Sequence, residues 1–133
     1  MKYDEYQFLQ FERDDDGILL ITINRPDVLN ATNSRLHWEL SRVWKDIDED
    51  PATNVVIITG KGRAFSAGGD LDMIDAMKGN HAALWQTMRE AGDIVYNISS
   101  GHIAANGFAT LWARTPHCTW RARQYRPCAW RTR

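Results

Sequence analysis

Hydrophobic and polar positions fall into blocks along the chain, and each block predicts one element of secondary structure. Residues 1–6 are mostly polar, and we expect them to form a loose end. Apolar positions within 8–11 open a first strand, and the acidic run at 14–17 is typical of a turn. The apolar run at 18–23 is the partner strand, so the chain is predicted to begin with a β-hairpin.

The next block has the period of an amphipathic helix that begins at Thr32 or Asn33 and ends near Asp50. Pro51 stops the helix because its ring removes a backbone donor. His37 lies off the apolar face, so we expect it to face solvent rather than to act as a general base. The apolar face consists of Leu36, Leu40, Val43, Trp44 and Ile47.

Four β-branched residues in a row, at 55–58, predict a strand that is buried on both faces, as in a parallel sheet. Small residues around one aromatic then form a loop at 64–69. Asp70 follows this loop and is placed to cap a helix over 71–78. The order strand, helix, strand indicates a parallel crossover of α/β type.

A break at 79–80 separates this short helix from a longer one over 81–98. The longer helix has apolar residues at helical spacing, which form one stripe along it. The stripe consists of Leu84, Met88, Ala91, Val95 and Ile98.

The loop at 64–69 ends in two adjacent glycines, which let a ligand approach the backbone closely. At a helix start the first N–H groups have no intrahelical partner. They can point at an oxygen that gains negative charge, such as a thioester carbonyl becoming an enolate. The alternative is an ordinary strand–turn–helix connection, which composition alone favours.

Residues 65–71, F-S-A-G-G-D-L, resemble the first oxyanion-hole loop of the crotonase (enoyl-CoA hydratase/isomerase) superfamily. Residues 23–31, I-N-R-P-D-V-L-N-A, resemble the N-terminal signature of the same family and stand at the expected distance. The resemblance covers about 8–98. It implies an α/β fold, the crotonase-like repeated ββα spiral, of which only the N-terminal part, 1–98, is present.

The resemblance implies that the backbone N–H of Gly69 forms the oxyanion hole and holds the thioester oxygen. Coenzyme A enters as part of the substrate, and the resemblance implies no separate cofactor and no metal. Contacts to its adenine, ribose or phosphates are implied for Arg25, Val28, Ala67, Gly68, Asp70 and Leu71. An acyl pocket or, alternatively, plain core is implied for Met73, Met77, Trp85 and Met88.

The resemblance fails after residue 98. Residues 104–110 fit the first half of the family's second glycine-rich loop, but Trp112 stands where the second oxyanion N–H is expected. The first catalytic carboxylate would fall at Thr115, which cannot act as a comparable acid or base. The second would lie just beyond the last residue. We therefore expect this truncated chain to be inactive.

Residues 99–133 differ from 1–98 in composition. The first 98 residues hold ten basic and all seventeen acidic residues, whereas the tail holds six arginines and no acid. The tail shows neither helical nor strand periodicity, so we expect it to be irregular or disordered. Nucleic-acid binding and a zinc site at His117, Cys118 and Cys128 are alternatives. A frameshift that begins near 100–111 accounts for the tail better.

The resemblance implies an enzyme of acyl-CoA and fatty acid metabolism that hydrates or isomerises an enoyl-CoA thioester. The alternative is a non-catalytic fragment that binds CoA or pairs with full-length subunits. The family forms homotrimers through C-terminal elements that this sequence lacks, so we expect that assembly to be compromised. We expect no membrane or nucleic-acid partner, and a cytoplasmic location, because no apolar run has spanning length and the body has no cysteine.

Overall fold

A single four-stranded sheet organises residues 3–100 and 108–109, which are the residues that the computed structural model describes. The strands lie in the order β1-β2-β3-β4. The first pair is antiparallel, and the other two pairs are parallel. The elements are β1 Leu9–Arg13, β2 Ile18–Ile23, α1 Ser34–Asp48, β3 Val55–Gly60, α2 Leu71–Ala76, α3 His81–Ser100 and β4 Phe108–Ala109.

The hairpin and the crossover predicted from the sequence are confirmed. β1 pairs with β2 so that Leu9 faces Ile23, and the Asp14 carboxylate closes the turn by accepting from the Ile18 amide at 2.8 Å. α1 then carries the chain over to β3, which runs parallel to β2. Asn33 is the N-cap of α1, because its side chain accepts from the Leu36 amide at 2.9 Å.

The core lies between α1 and one face of the sheet. Alternate residues of the strands point into it, as the two-residue period of a strand requires. Val55 and Ile57, on the other face of β3, are only partly buried. The expectation that β3 is buried on both faces is therefore wrong for the described chain, whose core cluster draws on one face only. The fully buried aliphatic residues of the described chain include Leu19, Ile21, Ile23, Leu36, Val43, Ile47 and Val56.

The segment before β1 is held in place, so the expectation of a loose end is wrong from residue 3 onwards. Tyr3 is buried and stacks on Phe11 with ring centroids 4.3 Å apart. Its hydroxyl donates to Asp50 at 3.0 Å, and the hydroxyl of Tyr6 donates to Asp46 at 2.5 Å. Two aromatic anchors thus tie the N-terminal segment to the end of α1.

α3 packs against α1 through polar contacts. His37 Nδ1 lies 2.7 Å from Glu90 Oε2, and Asn97 Nδ2 donates to the carbonyl of Ser41 at 3.2 Å. His37 is buried, so the expectation that it faces solvent is wrong. Its place off the apolar face of α1 turns it toward a second helix, which the sequence pattern of α1 alone does not reveal.

The apolar stripe predicted on α3 faces mostly outward. Leu84, Met88 and Val95 are 42%, 54% and 68% exposed, although Ala91 and Ile98 are partly buried. Three of the five members of the predicted stripe are thus exposed, because α3 turns polar residues toward α1. None of the described helices is both long enough and apolar enough to cross a bilayer.

Candidate functional site

A tight turn between β2 and α1 shapes one side of the candidate site. Pro26–Val28 form one turn of 3-10 helix, and the next two residues have positive φ, 54° at Leu29 and 57° at Asn30. The Arg25 carbonyl accepts from the Asn30 amide at 2.8 Å and closes this turn. Left-handed backbone is unfavourable for a leucine and tolerated by asparagine, so the surrounding hydrogen bonds must hold this geometry.

The glycine-rich loop at 64–70 lies along the segment that follows this turn. The Ala67 amide donates to the Leu29 carbonyl at 2.9 Å. Thr32 donates from its amide to Gly68 at 2.7 Å and accepts from the Asp70 amide at 2.9 Å. These bonds form an isolated parallel bridge between Thr32 and Gly69. The two motifs that carry the family resemblance are therefore joined directly by their backbones.

Within the run 67–70, the amides differ in their partners. The Ala67 amide donates to the Leu29 carbonyl, the Asp70 amide donates to the Thr32 carbonyl, and the Gly68 amide donates to Ser66 Oγ at 3.1 Å. The Gly69 amide makes no hydrogen bond with any of the described residues, and Gly69 is exposed. A parallel bridge leaves alternate amides pointing away from the partner. As far as the described residues go, Gly69 thus presents an unpaired donor at the surface.

An ion pair links the two motifs through their side chains. The Arg25 guanidinium lies 3.2 Å from Asp70 Oδ2 and also donates to the Ala31 carbonyl. Asp70 caps α2 by accepting from the Asp72 amide at 3.2 Å, as predicted. The charge of Arg25 is balanced within the fold, and its side chain is mostly buried against the Phe8 ring. Its contact with a CoA phosphate stays a prediction.

The remaining predicted contact residues are at the surface. Ala67 and Gly68 are exposed, and so are Val28 at 44% and Leu71 at 76%. Val28 lies on the turn before α1, and Leu71 is the first residue of α2. The structure thus brings Arg25, Gly68, Gly69 and Asp70 together, and the roles assigned to all these positions stay predictions.

Asn30 is a buried polar residue of the site that the sequence pattern did not single out. Its side-chain oxygen accepts from the Arg25 amide at 2.9 Å, and its side-chain nitrogen donates to the carbonyls of Lys61 and Ala64 at 2.9 and 2.7 Å. The only signal in the sequence is its place in the 23–31 motif, which says nothing about its partners.

Gly60, at the end of β3, must be a glycine because the following loop approaches its backbone closely. A Cβ at this position would stand 2.3 Å from the carbonyl oxygens of both Ala64 and Phe65, and 2.7 Å from Asn30 Nδ2. No side chain fits there, so the loop can fold back over the strand end only at a glycine.

Several predictions concern positions outside the described residues. They are the second loop at 104–107 and 110, the donor at Trp112, the substituted Thr115 and the zinc alternative at His117, Cys118 and Cys128. Of this region the backbone of β4 is described, which pairs with Val56 and Ile57 of β3. Within the described residues, no three His, Cys, Asp or Glu side chains group so as to hold a metal ion.

Comparison with known proteins gives consistent matches. Residues 13–110 match the model of the family described as Enoyl-CoA hydratase/isomerase. The chain is 39% identical over 69 residues to "Probable enoyl-CoA hydratase 1, peroxisomal" of Arabidopsis thaliana, which covers 52% of this chain and 26% of that protein. It is 37% identical over 86 residues to "Probable enoyl-CoA hydratase echA8" of Mycobacterium bovis, which covers 60% and 33%.

Solved structures agree on the fold. An enoyl-CoA hydratase/isomerase from Mycobacterium paratuberculosis superposes with a TM-score of 0.73 at 34% identity, covering 81% of this chain and 42% of that one. Pseudomonas aeruginosa AtuE, at 24% identity and a TM-score of 0.69, supports the fold alone. The chain spans less than half of these relatives' length. The predicted α/β fold of crotonase type is confirmed, and the chain belongs to the enoyl-CoA hydratase/isomerase family.

Proposed function

We propose that this chain binds an acyl-CoA thioester and that the Gly69 N–H donates to the thioester oxygen. The observation that carries the proposal is the Gly69 amide, exposed and without a hydrogen-bond partner among the described residues, beside three amides that are all used. A donor that is already fixed costs no reorganisation when charge develops on the oxygen.

The proposed reaction, which the family resemblance implies, is hydration of a trans-2-enoyl-CoA or movement of its double bond. Both pass through an enolate-like state whose oxygen carries negative charge, and a donor to that oxygen is worth about 2.7–4 kcal/mol of barrier. We propose that this chain by itself turns over poorly, because Trp112 replaces the glycine of the second donor and Thr115 replaces a carboxylate. One amide without acid–base groups retains binding and loses most of the rate.

The acyl part is proposed to lie beside α2. A Cβ at Gly69 would stand 3.4 Å from Ile74 and 3.8 Å from Met73, so these two apolar side chains border Gly69. Met77 lies one turn further and is partly buried. Trp85 and Met88 are exposed on α3. The CoA part is proposed to run past the loop at 67–71, of which residues 67–69 and Leu71 are exposed, toward Arg25 and Val28.

A non-catalytic role is the second candidate. The outward stripe of α3 leaves apolar surface uncovered in the described residues, and the chain covers 42% of a solved relative. Both observations suit a fragment that binds CoA or pairs with longer subunits. The homotrimer and a cytoplasmic location also stay proposals, and one relative carries the name "Probable enoyl-CoA hydratase 1, peroxisomal".

Two matched variants test the role of the Gly69 amide. Gly69→Pro removes the donor, whereas Gly69→Ala keeps it and places a methyl group at ordinary contact distance from Ile74. We expect crotonyl-CoA binding, followed by tryptophan fluorescence, to weaken at least tenfold in the proline variant and less than threefold in the alanine variant.

Turnover is measured in parallel from the enoyl-thioester absorbance. Binding without turnover by the unaltered chain favours the non-catalytic candidate over the enzyme. Equal affinity of the two variants, with both still folded by circular dichroism, would show that the Gly69 amide does not bind the thioester.

A further inference from the structure

We infer that Asn30 is a positioning residue that holds the loop at 64–70 so that the Gly69 amide faces outward. The inference rests on the proposed function, because it assigns to Asn30 the task of aiming the donor that meets the thioester. Asn30 itself is fully buried and does not touch the exposed amide. It acts through the backbone groups that it binds.

The side chain of Asn30 joins three backbone segments. Its oxygen accepts from the Arg25 amide at the end of β2. Both of its amide hydrogens have partners, the carbonyls of Lys61 and Ala64, which flank the turn after β3. A primary amide offers an acceptor and two donors in one plane. One buried side chain therefore fixes the relative position of two loops that follow neighbouring strands.

The backbone of Asn30 continues this connection toward the free donor. Its carbonyl accepts from Ser66 Oγ at 2.9 Å, and the same Oγ accepts from the Gly68 amide at 3.1 Å. This relay ends one residue before Gly69. The flanking residues Leu29 and Thr32 supply the bridge to the loop. Asn30 thus sits at the centre of the contacts that set the direction of the Gly69 amide.

The residue type is specified by the surrounding geometry. Aspartate has the same shape but no donors, so it would turn a negatively charged oxygen toward the carbonyls of Lys61 and Ala64. The φ of 57° adds a second requirement, since asparagine accepts left-handed backbone more readily than most residues. The absence of any Cβ at Gly60 leaves the space that Asn30 Nδ2 occupies.

Variants of Asn30 separate hydrogen bonding from backbone strain. Asn30→Asp removes the donors at constant shape, and Asn30→Gly removes the side chain while tolerating the positive φ. Asn54→Asp is the matched control, because Asn54 also donates to one backbone carbonyl, that of Asp16, but lies outside the loop and is exposed. Ser66→Ala breaks only the relay and keeps the test available if both Asn30 variants unfold.

Amide hydrogen exchange of the free protein tests the positioning without any ligand. We expect exchange at Ala67, Thr32 and Asp70 to accelerate by about tenfold or more in the Asn30 variants, and by a smaller factor in Ser66→Ala. In the same variants, exchange in α1, for instance at Val43, should change less than twofold. The control Asn54→Asp should change neither the exchange at the three loop-contact amides nor the exchange in α1. Unchanged exchange at these three amides would overturn the inference.

The carbonyl band of ¹³C-labelled crotonyl thioester, bound to the protein, reports on the donor itself. A bound thioester whose oxygen accepts from a fixed amide absorbs at lower frequency. We expect this shift in the unaltered chain and in Asn54→Asp, and at most half of it in the Asn30 and Ser66 variants. A full shift in Asn30→Gly would overturn the positioning role. No shift in the unaltered chain would overturn the proposed function, while the exchange result still decides whether Asn30 orders the loop.

Discussion

At the scale of single residues, three buried polar side chains determine how the elements meet. Asn30 binds the two loops of the site, and His37 joins α1 to α3. Glu39 is fully buried and accepts from the amides of Gln7 and Phe8 at 2.8 and 3.0 Å. A buried polar group is tolerated only when its partners are present, and removing one partner costs about 1–3 kcal/mol.

Glu39 gives the most direct stability prediction at this scale. Glu39→Gln replaces one acceptor oxygen by an NH₂ group that cannot receive a backbone amide, so we expect a loss of about 1–3 kcal/mol in the free energy of unfolding. Urea denaturation followed by circular dichroism measures it. Glu12→Gln, on an exposed position of β1, is the control and should change the same quantity by less than about 0.5 kcal/mol. Equal effects of the two substitutions would contradict this account.

Ionisation of the Tyr3–Asp50 pair predicts how stability depends on pH. Burial, reinforced by the Asp50 carboxylate, raises the pKa of Tyr3 to about 12. Burial alone would also raise the pKa of Asp50, but hydrogen bonds from the Ala52 amide, from Tyr3 and from Arg13 together lower it below its ordinary value. Because its pKa is raised, Tyr3 stabilises the fold at neutral pH, and this contribution is lost as pH rises from about 10 to 12.

Asp50, whose pKa is lowered, affects stability at acidic pH. The contribution of Asp50 is present above its unfolded pKa of about 3.9 and is lost as pH falls below it.

We expect urea midpoints of the unaltered chain to fall between pH 10 and 12 more steeply than those of Tyr3→Phe, which has no hydroxyl to ionise. Parallel curves for the two proteins over this range would contradict the role of Tyr3.

At the scale of elements, α3 is the one whose orientation differs from its pattern. Three of the five residues of its apolar stripe are exposed, while Glu90 and Asn97 contact α1. Helical periodicity identifies an apolar face but not the neighbour that covers it. An exposed apolar stripe of this kind is typical of a site that another chain or segment covers.

Two substitutions distinguish the outward stripe from a core. Met88→Gln should change the free energy of unfolding by less than about 0.5 kcal/mol, because the side chain is 54% exposed. Leu36→Ala, at a fully buried position of α1, should cost about 2–5 kcal/mol. A cost above about 2 kcal/mol for Met88→Gln would mean that the stripe is covered.

At the scale of the whole molecule, the family match and the composition divide the chain. The family match covers 13–110. The arginine-rich tail, 99–133, contains no acidic residue. We propose that 1–98 is the N-terminal part of a crotonase-like domain and that a frameshift near 100–111 produced the tail. A shift of one base changes every later residue but leaves the sequence before it intact, which agrees with the abrupt change in composition after residue 98.

Sequencing the gene and measuring the native protein's mass test this proposal. We expect a corrected reading frame to supply a Val/Leu/Met-Gly-small sequence in place of 111–113, with the glycine at the position of Trp112, and a carboxylate at or near Thr115. A chain made from that frame should hydrate crotonyl-CoA at least a hundredfold faster than the present one, since it regains a donor and an acid–base group. Tryptic peptides from 121–133 in the native protein, together with an in-frame gene, would exclude a frameshift.

The sequence by itself determined the local features, because each depends on residues close together in the chain. The hairpin, the Asn33 cap of α1, the Asp70 cap of α2 and the glycine pair could all be predicted from short patterns. The resemblance to the crotonase family also rests on two short motifs. Hydrogen bonding and φ preferences act over a few residues, so these signals survive without knowledge of the rest of the fold.

Only the tertiary structure decided which distant groups meet. It paired Arg25 with Asp70, placed Asn30 between the carbonyls of Lys61 and Ala64, and left the Gly69 amide without a partner among the described residues. It also turned the apolar stripe of α3 outward. These outcomes depend on how elements pack across 30 or more residues of chain, and a residue's local pattern carries no information about which carbonyl or helix lies opposite it.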